Sequence, residues 1–178
     1  MILPGQHIRR LCQTDTPMIT PFCEHMTFDG MSFGLSIAGY DIRLAQELEL
    51  KPGHFKLGST VEKFNIPFNI LAKVADKSTL ARRGLSVYNT VIEPGWKGFL
   101  TVELVNNGHH TIKLWAGSPI AQIIFHQLLE PAEVGYEGKY QNQPDKPVEA
   151  IHEGQTAEQL EMEDLEQAGC LRYVYPGA

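Results

Sequence analysis

Residues 75–106 read ADKSTLARRGLSVYNTVIEPGWKGFLTVELVN and form the densest polar cluster in the chain. Lys77, Ser78, Arg82 and Arg83 fall in one short segment between two stretches of strand-like composition. If residues 78–81 make one helical turn, Ser78 and Arg82, four apart, project to the same side. A hydroxyl, backbone N–H groups at the start of a turn and two cations together make a cradle for a phosphate. A solvated connecting loop accounts for the same residues, and both readings stand.

Glu103 is the second candidate. Strand alternation over residues 99–105 puts Leu100, Val102 and Leu104 on one face. Phe99, Thr101, Glu103 and Val105 then share the other. A carboxylate in mid-strand among apolar neighbours is either solvent-facing or partly buried with a partner. Partial burial raises its pKa toward the range useful for moving protons, and a nearby arginine opposes that rise. The turn signals EPG (93–95) and NNG (106–108) bracket this strand as a hairpin arm, so Glu93 can return toward Glu103.

These residues need a scaffold, and the rest of the chain describes one. Residues 5–12 place Ile8 and Leu11 three apart around two arginines, which predicts a short amphipathic helix. Short apolar stretches then recur at 18–21, 40–44, 54–57, 61–66, 70–74, 99–106, 111–114 and 120–128. KPG (51–53), EPG and NNG punctuate them. That rhythm predicts an all-β barrel or sandwich with short peripheral helices and disfavours a βαβ fold. Residues 131–154 are rich in Pro, Gly, Glu and Gln and read as an extended tail. TAEQ (156–159) resembles a capping box, opening an acidic helix that runs to Gly169. The expected organisation is a domain at 1–130, a tail at 131–154 and a helical extension at 155–178.

Several chemistries are disfavoured. The 178 residues carry 15 Lys plus Arg against 21 Asp plus Glu, a net charge of −6, which argues against a nucleic-acid polymer as partner. A small anion needs only a few placed cations. Cys12, Cys23 and Cys170 are an odd set without CxxC spacing, as suits a reducing cytoplasm. No apolar run approaches a membrane span. His7, His25, His54, His109, His110, His126 and His152 form no HExxH pair, and no P-C-x-x-C accompanies them, so zinc is not expected. His109 and His110 follow NNG and read as exposed. Phosphate-loop, dinucleotide-binding and GxSxG motifs are all missing.

Six pieces in order resemble the dCTP deaminase branch of the trimeric dUTPase superfamily. They are AGYDIRL (38–44), KSTLAR (77–82) with Gly84 and Leu85, EPGWKG (93–98), LTVEL (100–104) with Asn106, GSPIAQ (117–122) and YEGKYQNQ (136–143). The resemblance implies a distorted jelly-roll barrel of the dUTPase-like type and metal-independent deamination of dCTP to dUTP and ammonia. It gives Glu103 the role of the proton-shuttling carboxylate, and Ser78 and Arg82 that of positioning water and substrate. Lys77, Ser78, Thr79, Leu80, Ala81 and Arg82 match the segment that holds the triphosphate. Thr101, Val102, Glu103 and Gln122 match base and phosphate contacts, and Glu93 the acidic turn. Tyr136, Lys139 and Gln143 match a lid over the phosphates, which gives the tail a purpose, since closure excludes water. Mg²⁺ is implied as the counter-ion of the nucleotide, and a homotrimer with active sites shared between subunits as the assembly. dUTP and dTTP are implied as further ligands.

One segment departs from the pattern. TVIE (90–93) is two residues shorter than in dedicated deaminases, with Glu93 where Asp is expected. Its spacing of twelve from Ala81 is that of dUTPases. The alternative function is therefore dUTP diphosphatase, or both reactions in one site, with Glu93 orienting a water toward the α-phosphate. A barrel that binds nucleotide for regulation, with no turnover, is the reading from a different class.

Overall fold

The computed structural model describes residues 1–152. The expected capping box, acidic helix and Cys170 lie outside them. Met1–Val148 form one compact unit, and the few described residues of a second unit, Glu149–Ala178, carry no regular element.

The chain opens with helix α1 (Gly5–Cys12), whose Ile8 is fully buried while Arg10 faces water, as the apolar spacing requires. Strands follow at β1 (Ile19–Thr20), β2 (Met26–Phe28), β3 (Met31–Ser36), β4 (Gly39–Arg43), β5 (Leu48–Leu50), β6 (Phe55–Asn65) and β7 (Ile70–Asp76). After a single turn, α2 (Ser78–Ala81), come β8 (Leu85–Val87), β9 (Val91–Ile92), β10 (Lys97–Asn106), β11 (Ile112–Leu114) and β12 (Pro119–Gln127). They build a four-stranded sheet in the order β1-β6-β10-β8 and a six-stranded sheet in the order β2-β3-β4-β12-β7-β9, with β11 paired to β5. The core holds Tyr40, Ile42, Phe64, Leu104 and Phe125, each 1% exposed or less. No helix among the described residues is long and apolar enough to cross a membrane.

Three differences from the sequence reading have physical causes. The stretches at 54–57 and 61–66 are one strand, β6, because the small residues between them are buried strand interior. Gly58 leaves the space that Leu44 fills, since a Cβ there would lie 2.5 Å from Leu44 Cδ1. β2 and β3 form a hairpin that the apolar stretches alone do not mark. Asp29 and Gly30 (φ 48° and 71°) make the two-residue turn that Asp-Gly favours. Finally, β10 is not an arm of hairpins at its two turns. The EPG turn closes as expected, with Trp96 N donating to Glu93 O at 3.1 Å. However, β9 before it pairs with β7, and β11 after NNG pairs with β5. Each turn carries the chain from one sheet to another, leaving β10 between β6 and β8.

Candidate active site

The alternation expected for β10 holds. Leu100, Val102 and Leu104 are 7%, 1% and 0% exposed, while Glu103 is half-buried on the other face. Glu103 sits opposite Leu57 of β6, and its carbonyl accepts from Tyr88 N at 3.1 Å on the β8 side. Phe55, opposite Val105, and Tyr88 lie with ring centroids 6.3 Å apart, both about half exposed. The carboxyl is thus partly buried, yet the partner expected with burial is missing. Oε2 is shielded from solvent and bonded to nothing among the described residues. Burial raises the Glu103 pKa, opposed only by its own backbone N–H. Thr90 Oγ1 is the one other shielded side-chain oxygen of this kind among the described residues. It lies just beyond Tyr88, and no pattern in the sequence singles it out.

The phosphate-cradle segment forms the single helical turn that was expected. Ala81 N and Arg82 N donate to the carbonyls of Lys77 (2.9 Å) and Ser78 (3.1 Å). Leu80 drives the turn into the core at 1% exposure, leaving Ser78, Thr79, Ala81, Arg82 and Arg83 at the surface. Arg82 and Arg83 make no ion pair among the described residues. The turn is fastened at its base. Asp76 Oδ1 accepts from Val87 N at 2.8 Å, and Lys77 Nζ donates to Asp41 Oδ2 at 2.9 Å. Lys77 thus pairs its ammonium with a buried carboxylate. Gln122, half-buried on β12, donates to Ser36 Oγ at 2.9 Å.

The tail lies along the part of β10 that β8 does not reach. Tyr136 N donates to Pro94 O (2.8 Å), and Trp96 Nε1 to Tyr140 O (2.7 Å). Gln143 bridges Gly98, accepts from Phe99 N through its carbonyl (3.1 Å), and accepts from Thr101 N through Oε1 (3.0 Å). Val148 N reaches Thr101 Oγ1 at 3.0 Å. This approach requires glycine at 98: φ is 143°, and a Cβ would meet Gln143 N at 2.6 Å. Gln143 is thus packed against the strand that carries Glu103, and Tyr136 against the turn of Pro94 and Gly95 that precedes it. Lys139 is at the surface, its Nζ 5.4 Å from the Tyr140 ring centroid. Val102 is 1% exposed, while Glu93 is exposed at its turn.

Glu103 and the tail lie along β10 and Ser78 and Arg82 stand on the α2 turn, and no hydrogen bond or ion pair joins Glu103 to Ser78 or Arg82 among the described residues. A cleft of about 200 Å³ between Lys63, Asn65, Lys97 and Asn142 lies toward the far end of β10 from Glu103 and includes none of the expected site residues. No group of three or more His, Cys, Asp or Glu that could hold a metal occurs among the described residues.

The architecture is that of dUTPases. The dUTPase of Staphylococcus bacteriophage 80alpha superposes with a TM-score of 0.52 at 16% identity, covering 70% of this chain and 98% of that one. The dUTPase from phage phi11 of S. aureus gives 0.50 at 19% identity, covering 72% and 94%. Residues 39–128 match the family described as dCTP deaminase-like. A dCTP deaminase of Campylobacter hominis is 36% identical over 170 residues, covering 77% of this chain and 90% of the relative. One from Herpetosiphon aurantiacus is 35% identical over 169 residues, covering 76% and 91%. The chain belongs to the dCTP deaminase-like family.

Proposed function

We propose that this chain is a dCTP deaminase that uses Glu103 as its proton-transfer group. The observation that carries the reading is the solvent-shielded, unbonded carboxylate oxygen of Glu103 on a strand whose sequence matches the family. Water and dCTP give dUTP and ammonia. Glu103 takes a proton from a water held by Ser78, and the hydroxide attacks C4 of the cytosine. The same carboxyl passes the proton to ring N3, then carries the second proton of that oxygen to the departing amine. Arg82 stabilises the charge that develops. A carboxyl whose pKa is raised by burial holds and returns protons near neutrality better than an ordinary one.

Ser78 and Arg82 share no hydrogen bond or ion pair with Glu103 among the described residues, which supports a complete site formed between subunits of a homotrimer. The exposed groups of residues 78–82 face the triphosphate, with Gln122. Thr101 and Val102 border the base through their backbone. Tyr136, Lys139 and Gln143 close over the phosphates as a lid, with residues 131–154 its segment and 155–178 an extension of separate role. Mg²⁺ arrives as the counter-ion of dCTP; dUTP and dTTP fit the same cradle. The free thiols of Cys12 and Cys23 suit an enzyme of the cytoplasm.

The short 90–93 segment supports a second reading, in which Glu93 also directs water to the α-phosphate and dUMP and pyrophosphate form. Incubating the protein with dCTP and Mg²⁺ and measuring ammonia and pyrophosphate decides between them. Ammonia without pyrophosphate is expected; equal amounts of both favour the second reading. Neither product from dCTP or dUTP overturns both.

A further inference from the structure

We propose that Lys77 is a positioning residue, held by Asp41 so as to fix the Ser78–Arg82 turn, and that it does not contact the triphosphate. The proposal rests on the reading of that turn as part of the site. Lys77 and Asp41 are each 8% exposed, and their charged atoms meet at 2.9 Å. Ser32 Oγ lies 3.4 Å from both the ammonium nitrogen and Asp41 Oδ2, closing a triangle between β3, β4 and the start of α2.

Reaching a ligand would require the lysine to leave a buried carboxylate unpaired, the least favourable condition for an ionised group. A charge already neutralised at contact distance also adds little attraction for a phosphate beyond it. The backbone of the same residue explains what the pair does. The Lys77 carbonyl accepts from both Leu80 N (3.0 Å) and Ala81 N (2.9 Å), so the turn hangs from the residue whose side chain is pinned. Asp41 is opposite Gln122 of β12 in the sheet register, so the turn is tied to the strand carrying another expected substrate contact. The bond from Val87 N to Asp76 holds the adjoining residue, and the two anchors fix where Ser78 and Arg82 stand.

The test compares wild type, Lys77→Met, Asp41→Asn and the double variant, in three readouts. Both single variants are expected to lower kcat for dCTP by about tenfold to a hundredfold, as misplacement of a catalytic turn does. Because the same turn faces the triphosphate, nucleotide affinity by calorimetry falls by a similar factor in both single variants, and the double variant is no worse than either single one, because the pair acts as a unit. Amide exchange at Leu80 and Ala81, read without nucleotide, speeds up about tenfold or more in each single variant. A lysine that binds phosphate behaves differently: Lys77→Met weakens nucleotide affinity tenfold or more, while Asp41→Asn leaves it unchanged or tightens it. That result, or unaltered exchange in the turn, overturns the proposal. If a single variant does not fold because one buried charge is left alone, the neutral double variant carries the exchange measurement. Absence of ammonia with wild type sinks the deaminase reading instead, and amide exchange still reports on the anchor.

Discussion

Glu62 and Glu103 stand on neighbouring strands of one sheet, and burial raises the pKa of both. Their surroundings differ in depth and in partners. Glu62 is fully buried and fully answered: Arg43 donates to it from Nε at 2.7 Å and from its backbone N at 2.9 Å. The Arg43 guanidinium also rests 4.7 Å from the Phe33 ring centroid. Glu103 is only half-buried, yet one of its oxygens is out of water with no donor among the described residues. A buried charge with partners locks β4 to β6. A shielded oxygen without one keeps its bonding capacity for something that arrives.

The largest expected effect removes the unanswered carboxylate. Glu103→Gln keeps the shape and should cut ammonia release from dCTP by about 10²–10⁴-fold while nucleotide still binds. Near-normal turnover in an ammonia assay would show that the two glutamates are both structural. Glu62→Ala should do the reverse, costing about 3–5 kcal/mol of stability in denaturant melts by stranding Arg43. Activity per folded molecule should hold.

Arg82→Ala should lower kcat by about a hundredfold or more, as loss of a charge-stabilising group does. Mixed trimers refolded from inactive Arg82→Ala and Glu103→Gln subunits should recover about a quarter of wild-type activity if sites are shared. No recovery would place both groups in one subunit. The smallest effect is in pH. A base must be deprotonated to act, so the acid limb of kcat should lie above the ordinary glutamate value of about 4.3. Stability runs the other way. The folded state of wild type holds this proton longer than the unfolded chain, so wild type loses stability relative to Glu103→Gln as pH rises through the raised pKa. Melting curves from acid to neutral pH should show the variant gaining on wild type as pH rises.

Much of this is legible in the residues. Period-two alternation places Glu103 opposite Leu100, Val102 and Leu104, and the 78–81 turn follows from spacing. Asp29-Gly30 announced a hairpin to any reading that stopped there. Which strands flank β10 was not legible, because turns at EPG and NNG look alike whether they close a hairpin or cross between sheets. Nor was Thr90, an ordinary loop threonine until its hydroxyl is seen shielded and unbonded.

Local spacing alone determined the β-rich class, the α2 turn and the face on which the key carboxylate lies, since these depend on backbone geometry over a few residues. Only the tertiary structure decided which charges were taken. Lys77 and Asp41 are 36 residues apart, and Arg43 and Glu62 are 19 apart. Nothing local tells a lysine that will be buried against aspartate from one left free for phosphate, because desolvation and pairing are properties of the assembled neighbourhood.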